Sequence, residues 1–245
     1  MSIYILSDTH LDETYPEITA TFFNFLNDYA KQAKAIYILG DLFESWIGDD
    51  NLSPFNLSVM RQLHKASLYC PIYVMLGNRD FLLGKKFCKL SGCQLLPEEY
   101  CLDIFGVPTL LMHGDTLCTL DIAYLKFRKM ARNRFMQFLF LLKPLKSRLR
   151  IAEQMRLKSK SYTQNTAATI MDVTQDAVIA RMQAHQVHHL IHGHTHRPDV
   201  HNFDIDGKPA KRTVLGAWHD GGWVLWCKEN GEQQVILLPT THPES

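Results

Sequence analysis

The sequence predicts an α/β fold that carries a helical insertion, and three observations support this prediction. Six short apolar runs have the composition of buried β-strands. Amphipathic helical patterns lie between several of these runs, at residues 17–33, 56–67 and 173–186. The stretch 121–170 lacks a strand pattern and contains only helical ones. We therefore assign residues 1–120 and 171–240 to an α/β core and residues 121–170 to the insertion.

Each apolar run of the core is followed directly by a polar cluster. In chain order, the runs and their clusters are 3–6 with 7–10, 35–39 with 40–41, 72–76 with 77–80, 109–112 with 113–115, 189–191 with 192–196, and 213–215 with 216–219. Open α/β sheets bind their ligands at the carboxyl ends of the strands. We therefore expect the polar side chains of these clusters to meet at one edge and to form a site.

The insertion is strongly basic and partly apolar. Between residues 124 and 160 it contains twelve lysines and arginines and a single acid, Glu153, whereas the net charge of the whole chain is only +1. It also contains the apolar run 135–142, which Pro144 follows closely. Two alternatives account for this composition. The segment is either a lid for an apolar, anionic ligand, or a helical pair that packs its apolar face on the core.

The remaining composition argues against several functional classes. The small net charge indicates no general affinity for polyanions, and we expect no nucleic-acid partner. Six cysteines without a C-x-x-C pair are typical of reduced, mostly buried thiols rather than of a zinc site. The first residues show no signal peptide, and no apolar run reaches the length of a membrane span. We therefore expect a cytoplasmic protein and, since nothing indicates an oligomer, a monomer.

Five of the six clusters contain side chains that bind metal ions. These candidate ligands are Asp8, His10, Asp41, Asn78, His113, His194 and His196. A single buried histidine or aspartate is usually structural, but five strand ends that each supply a ligand are difficult to explain by chance. Mixed oxygen and nitrogen ligands suit Mn²⁺, Fe²⁺ or Zn²⁺ better than Ca²⁺ or a thiolate-bound zinc. Two such ions, about 3.5–4 Å apart, would clamp a phosphoryl group and activate water.

Five short motifs occur in order between Asp8 and His196, namely D-x-H, G-D, G-N-x, H-G-D and G-H-x-H. In these motifs the chain resembles the calcineurin-like metallophosphoesterases. The resemblance implies a two-sheet sandwich flanked by helices. It also implies that one metal ion is bound by Asp8, His10, Asp41 and His196. The second ion would be bound by Asp41, Asn78, His113 and His194.

One position departs from the pattern of many relatives in this family. Arg79 follows Asn78 where those relatives carry a histidine that is a candidate general acid. Arginine cannot donate a proton near neutral pH, but its planar fork suits phosphate oxygens. The departure therefore indicates a leaving group that needs no protonation, such as a nucleotide phosphate rather than a simple alkoxide.

Longer segments around the motifs narrow the resemblance. These segments are 40–50, 77–84, 113–118, 170–173, 192–198 and 214–219. They resemble the bacterial UDP-2,3-diacylglucosamine hydrolases, a family of lipid A biosynthesis. The resemblance implies that water attacks the α-phosphorus of UDP-2,3-diacylglucosamine and gives UMP and 2,3-diacylglucosamine 1-phosphate (lipid X). It also implies two Mn²⁺ ions as the cofactor, and a protein bound peripherally to the cytoplasmic face of the inner membrane.

The same resemblance implies residue roles. The catalytic residues would be Asp41, Asn78, Arg79 and His194. The substrate-binding residues would be Asn78, Arg79, Asp121, Arg156, Ser159, Thr163, Thr166 and His194. Two of these depart from the family, since Thr163 and Thr166 stand where relatives usually have Asn or Lys and then Lys. The insertion would form the lid over the acyl chains, and its basic residues would hold the protein at the anionic bilayer surface.

Three points stay open at the level of sequence. The chain could instead be a general nucleoside-diphosphate or cyclic-nucleotide phosphodiesterase, which shares the metal site but needs no acyl groove. It could also be a non-enzymatic binding scaffold, although every expected ligand is present. Finally, several acidic residues near the motifs either orient the ligands or cap turns. These residues are Asp80, Asp115, Glu44, Asp49 and Asp50.

Overall fold

Two mixed β-sheets face each other in the structure, a computed structural model that describes residues 1–219 and 221–241. Asp220, which falls in the predicted core segment 171–240, and residues 242–245 lie outside the described residues. The first sheet contains β1 (Ser2–Leu6), β2 (Ala33–Ile38), β3 (Ile72–Val74), β4 (Gln94–Leu95), β10 (Gly222–Lys228) and β11 (Gln233–Leu238). Its strand order is β11-β10-β1-β2-β3-β4, in which β1 to β4 are parallel.

The second sheet has five strands and a parallel centre. It contains β5 (Glu99–Ile104), β6 (Val107–Met112), β7 (His189–His192), β8 (Asp199–Ile205) and β9 (Lys208–Val214). The order is β5-β6-β7-β9-β8, with β6, β7 and β9 parallel and each outer strand antiparallel to its neighbour. All six predicted strands therefore lie in the parallel parts of the two sheets, where the ends of the strands meet.

Helices cover the outer faces of both sheets. The first sheet carries α1 (Pro16–Tyr29), α2 (Pro54–Ser67) and α3 (Lys85–Ser91), and the second carries α7 (Gln175–Ala184). Pro16 lies in the first turn of α1, where a missing N–H leaves no hydrogen bond unmade. Ser53 caps α2, because its hydroxyl oxygen accepts the backbone N–H of Asn56.

Strand β1 shows how the sequence produces these layers. Ile3 and Ile5 belong to the apolar cluster between the two sheets, whereas Tyr4 and Leu6 belong to the cluster between the first sheet and its helices. Successive side chains of a strand point to opposite faces, so a strand buried on both faces is continuously apolar. This arrangement confirms the predicted two-sheet sandwich flanked by helices.

Three helices occupy the insertion, namely α4 (Ile122–Ala131), α5 (Arg134–Leu141) and α6 (Leu145–Asn165). The structure describes all of their residues, and among these only Arg148 is buried. Phe135, Phe138 and Leu142 are 66%, 56% and 65% exposed. Much of the apolar surface at α5 is therefore exposed, although Leu141 lies close to Gly48 of the core. The choice between the two alternatives for the insertion stays a prediction. No helix in the described part of the chain has the length and apolar character of a membrane span.

The boundaries of some elements differ from the prediction. The helix predicted at 17–33 ends at Tyr29, a 3-10 turn covers 30–32, and β2 already begins at Ala33. Strands β4, β5, β8, β10 and β11 were not predicted. All six cysteines are free thiols and four of them are buried, as the sequence indicated.

Candidate metal centre

The loops that follow β1, β2, β3, β6 and β7 meet at one edge of the sandwich. Backbone hydrogen bonds join them: Asp8 N–H donates to the Gly40 carbonyl oxygen at 3.1 Å, and Gly193 N–H donates to the His113 carbonyl oxygen at 2.9 Å. As a result, all seven predicted metal ligands lie in one connected group of side chains. This matches the expectation that polar side chains at the strand ends converge.

Asp8, His10 and His196 form the first cluster of donor atoms. His196 Nε2 lies 3.4 Å from Asp8 Oδ1 and 3.3 Å from His10 Nε2. Asp8 Oδ1 is buried and has no hydrogen-bond partner. A buried carboxylate oxygen without a partner is costly, and a cation bound among these atoms would satisfy it.

The second cluster centres on Asn78. Its Oδ1 lies 2.9 Å from both His113 Nε2 and His194 Nδ1. Asp41 lies between the two clusters, because its Oδ1 is 3.9 Å from His113 Nε2 and its Oδ2 is 3.9 Å from His10 Nε2. The two oxygens of one carboxylate therefore face different clusters, an arrangement that suits a bridging ligand.

Neighbouring groups orient these ligands. The ring nitrogen Nδ1 of His113 lies 2.8 Å from the Leu39 carbonyl oxygen, to which it donates, so that Nε2 carries the free lone pair. Asp8 Oδ2 accepts from the Ser7 hydroxyl at 2.5 Å and from the His194 N–H at 2.9 Å. These contacts use one oxygen of Asp8 and leave the other directed at the first cluster.

The backbone at the site is in an unusual conformation. Eight non-glycine residues in the described part of the chain have positive φ, and five of them are predicted ligands. Their φ values are 53° for Asp8, 47° for His10, 52° for Asp41, 69° for His194 and 56° for His196. Such residues tend to cluster at functional sites, where the surrounding structure holds them. Gly77 allows close approach here, because a Cβ at this position would collide with Asp41 Oδ1.

The acidic residues near the motifs have different roles. Asp80 accepts the backbone N–H groups of Gly77 and Leu42 at 2.8 Å each, and so joins two ligand-bearing loops. Burial and the nearby Asp41 raise the pKa of Asp80 to about 6. Asp49 accepts three N–H groups at the start of α3, which supports the turn-capping alternative for this residue.

Two further acidic residues connect the core with the insertion. Asp115 accepts from the Tyr124 hydroxyl and from Arg128 Nε, both at 2.6 Å. Asp50 pairs with the buried Arg148. Each of these carboxylates therefore joins the core to the insertion. Whether it also orients a metal ligand stays a prediction.

The pKa shifts differ among the predicted ligands. Burial opposes the charge of His10 and His113, but the neighbouring carboxylates raise the pKa of both imidazoles. Burial and the neighbouring His113 lower the pKa of His194 to about 4, so that its imidazole is neutral at physiological pH. Burial opposes the charge of Asp8, but contacts with His196 and the other imidazoles hold its pKa below the usual range. Neutral imidazoles and ionised carboxylates are the forms that bind metal ions.

The insertion reaches the site through α6. Arg156 Nε lies 3.1 Å from Glu44 Oε1, and Tyr162 donates its hydroxyl to Asp121 Oδ1 at 2.7 Å. Ser159 and Thr163 are three and seven residues after Arg156, so they lie on the same face of the helix, with Thr166 at its end. Asp121 also caps α4. The binding roles of these residues stay predictions.

Two further residues lie near the ligands: Glu44, for which the sequence left ligand orientation and turn capping open, and His219, which was not assigned a role from the sequence. Glu44 Oε2 lies 2.9 Å from His10 Nδ1. The ring of His219 is stacked against that of His10, with centroids 6.2 Å apart, and lies edge-on to that of His196. The polar cluster 216–219 after β9 was the available signal for His219, since it follows a strand in the same way as the ligand clusters.

Comparison with known proteins gives consistent results. A sequence profile described as calcineurin-like phosphoesterase matches residues 1–198. The UDP-2,3-diacylglucosamine hydrolase of Pseudomonas aeruginosa is 47% identical over 236 residues, which cover 96% of this chain and 98% of the relative. That of Stutzerimonas stutzeri is 46% identical, with 95% and 98% covered. A solved archaeal phosphodiesterase aligns with a TM-score of 0.51 at 14% identity, over 97% of this chain and 100% of the other, and shares its fold.

Proposed function

The chain belongs to the calcineurin-like phosphoesterase family and, within it, to the UDP-2,3-diacylglucosamine hydrolases, and we propose that it acts on the pyrophosphate of UDP-2,3-diacylglucosamine in lipid A biosynthesis. The two donor clusters that share Asp41 carry this proposal most directly, because two cations held there can clamp a phosphoryl group between them. We propose that water attacks the α-phosphorus. The products are UMP and 2,3-diacylglucosamine 1-phosphate whichever phosphorus is attacked, so the position of the new oxygen distinguishes the two.

The donor set fits two divalent cations, and we propose Mn²⁺. Asp8, His10, Asp41 and His196 would hold one, and Asp41, Asn78, His113 and His194 the other. The unpaired, buried Asp8 Oδ1 and the divided orientation of the Asp41 oxygens support this assignment. When bound, such ions supply an activated water and neutralise charge that develops on phosphorus.

Arg79 takes the role of an electrostatic partner for the substrate. Its backbone N–H donates to Asp41 Oδ1 at 2.8 Å, which fixes the loop that carries Asn78. Its guanidinium is partly exposed at the site, and the planar fork of an arginine suits phosphate oxygens. Together with Asn78 and His194 it stabilises the phosphoryl oxygens. Because a phosphate monoester leaves as an anion, the reaction needs no proton donor at this position.

The exposed apolar face of α5 supports a role in lipid binding. Phe135, Phe138 and Leu142 offer a surface for acyl chains, and lysines and arginines surround them. Basic residues near an anionic bilayer contribute about 1 kcal/mol each to membrane binding. The insertion thus serves as the lid over the substrate and holds the protein at the cytoplasmic face of the inner membrane, where the lipid resides.

The test is turnover of UDP-2,3-diacylglucosamine by the purified full chain with Mn²⁺ in ¹⁸O-labelled water. We expect UMP that carries one ¹⁸O and an unlabelled lipid monophosphate. Label found only in the lipid phosphate would place the attack on the other phosphorus. Equal turnover of UDP-N-acetylglucosamine, which lacks acyl chains, would favour a general nucleoside-diphosphate phosphodiesterase. Absence of turnover despite bound metal would favour a binding scaffold.

A further inference from the structure

Glu44 is in contact with three groups that belong to different parts of the chain. Its Oε2 lies 2.9 Å from His10 Nδ1, in the loop after β1. Its Oε1 lies 3.1 Å from Arg156 Nε, in α6 of the insertion, and 3.6 Å from Arg79 NH1, in the loop after β3. The Glu44 side chain is only 14% exposed. A predicted metal ligand, a predicted phosphate-binding residue and the insertion therefore converge on one carboxylate.

The contact with His10 sets the direction of a metal-binding nitrogen. Nδ1 lies against the Glu44 carboxylate at an ion-pair distance, without hydrogen-bond geometry, and Nε2 is the nitrogen that faces Asp41 and His196. A carboxylate in this position fixes the tautomer and the ring orientation of a ligating histidine and raises its basicity. Loss of such a partner typically lowers metal affinity by about 10–100-fold.

The contact with Arg156 connects this ligand to the insertion. Arg156 also lies 3.2 Å from Asp12 Oδ2, so it bridges Glu44 and the same loop that carries His10. Its side chain is 41% exposed, and exposed ion pairs of this kind add little to stability by themselves. The ion pair between Arg156 and Glu44 matters because of where Glu44 lies. One oxygen of its carboxylate contacts Arg156, and the other lies against His10 Nδ1.

We propose that Glu44 is a positioning residue that couples cation binding at Asp8, His10 and His196 to the docking of α6 on the core. The inference rests on the proposed function only in that it requires the site to bind cations. Coupling between two sites is reciprocal. Cation binding should therefore hold α6 more firmly, and loss of the Arg156 contact should weaken cation binding although Arg156 is not a ligand.

The first measurement is Mn²⁺ affinity of the purified full chain, followed by the electron paramagnetic resonance signal of free Mn²⁺. Glu44→Ala should weaken one of two bound ions by about 10–100-fold and leave the other nearly unchanged. Glu44→Gln should have a smaller effect, because the amide oxygen can still lie against His10 Nδ1. Arg156→Gln should weaken the same ion by a few-fold, whereas Arg150→Gln, an exposed arginine of the same helix, should not.

The second measurement is amide hydrogen exchange of residues 145–165 with and without Mn²⁺. The unmodified chain should become more protected when Mn²⁺ is added, and this gain should disappear in Glu44→Gln and Arg156→Gln. Equal Mn²⁺ affinity of Arg156→Gln and Arg150→Gln, or exchange in α6 that does not respond to Mn²⁺, would overturn the proposal. Since neither readout needs substrate, a failure of the lipid assay would leave this result interpretable. If Glu44→Ala does not fold, the two glutamine variants still decide the question.

Discussion

Replacement of Arg148 by methionine tests how the insertion is attached to the core. Arg148 is buried although it lies in the exposed insertion. Its NH1 donates to the Ile47 carbonyl oxygen at 2.7 Å and to Asp50 Oδ1 at 2.8 Å, and its Nε donates to the Lys143 carbonyl oxygen at 3.0 Å. Methionine keeps much of the apolar stem and removes these hydrogen bonds.

The expected loss follows from the burial of each partner. The Ile47 carbonyl is buried, and an unsatisfied buried acceptor costs about 1–3 kcal/mol. The Lys143 carbonyl is partly buried, so water replaces some of its hydrogen bond. Asp50 is 58% exposed, and its ion pair contributes at most about 1 kcal/mol. Arg148→Met should therefore lower the free energy of unfolding by about 3 kcal/mol.

Urea unfolding followed by circular dichroism gives the global value, and hydrogen exchange of residues 134–165 shows whether the loss is confined to the insertion. Arg150→Met is the matched control, because Arg150 is exposed in the same helix. A loss below about 1 kcal/mol, combined with unchanged exchange in the insertion, would refute the reasoning, since it would mean that these hydrogen bonds contribute nothing net.

Three further predictions concern the core, pH and the substrate. Asp80→Ala removes the acceptor of two buried N–H groups and should cost about 3 kcal/mol in urea unfolding at pH 7; a loss below 1 kcal/mol would contradict this. Arg148 holds the pKa of Asp50 below its ordinary value of 3.8, so this stabilisation is present above that value and is lost as pH falls through the lowered pKa. The unfolding free energies of the unmodified chain and Asp50→Asn should differ at pH 7, and the difference should shrink progressively as pH falls below 3.8. Phe138→Ser should raise KM for the acylated substrate by about 10-fold and leave kcat nearly unchanged, whereas a change in kcat alone would argue against acyl binding there.

Each of the six strands that were predicted from the sequence contains an uninterrupted apolar run. Strand β1 is apolar at every position from Ile3 onward because both of its faces are buried. Strand β8 is largely exposed, with buried side chains only toward its end, and gives no such run. The antiparallel pairing of β1 with β10, from Ser2 with Lys228 onward, joins distant parts of the chain and has no local pattern. The exposed strand β8 and the long-range pairing were missed for these reasons. Strands β10 and β11 were missed although residues 223–227 and 235–238 are apolar runs.

The metal ligands could be predicted because ligand type and strand end coincide. Asp41 and Asn78, for example, each follow an apolar run directly. Glu44 carries no such signal, since its role depends on Arg156, which approaches it only after three helices of the insertion have formed. The choice between the two alternatives for Asp49 also required the structure, which places its carboxylate at the start of α3. Residues that act through another residue depend on tertiary contacts, so a sequence pattern could not identify them.

The left-handed backbone at the metal ligands limits which substitutions can inactivate the enzyme without straining its loops. This matters for variants designed to trap the substrate. Asp8 and Asp41 have φ near +50°, a region that costs most side chains about 1–2 kcal/mol but that asparagine adopts readily. Alanine at these positions would combine loss of the carboxylate with strain in the loop. Asparagine removes the charge and keeps the backbone, so Asp8→Asn and Asp41→Asn are the variants in which an intact lipid substrate should be captured.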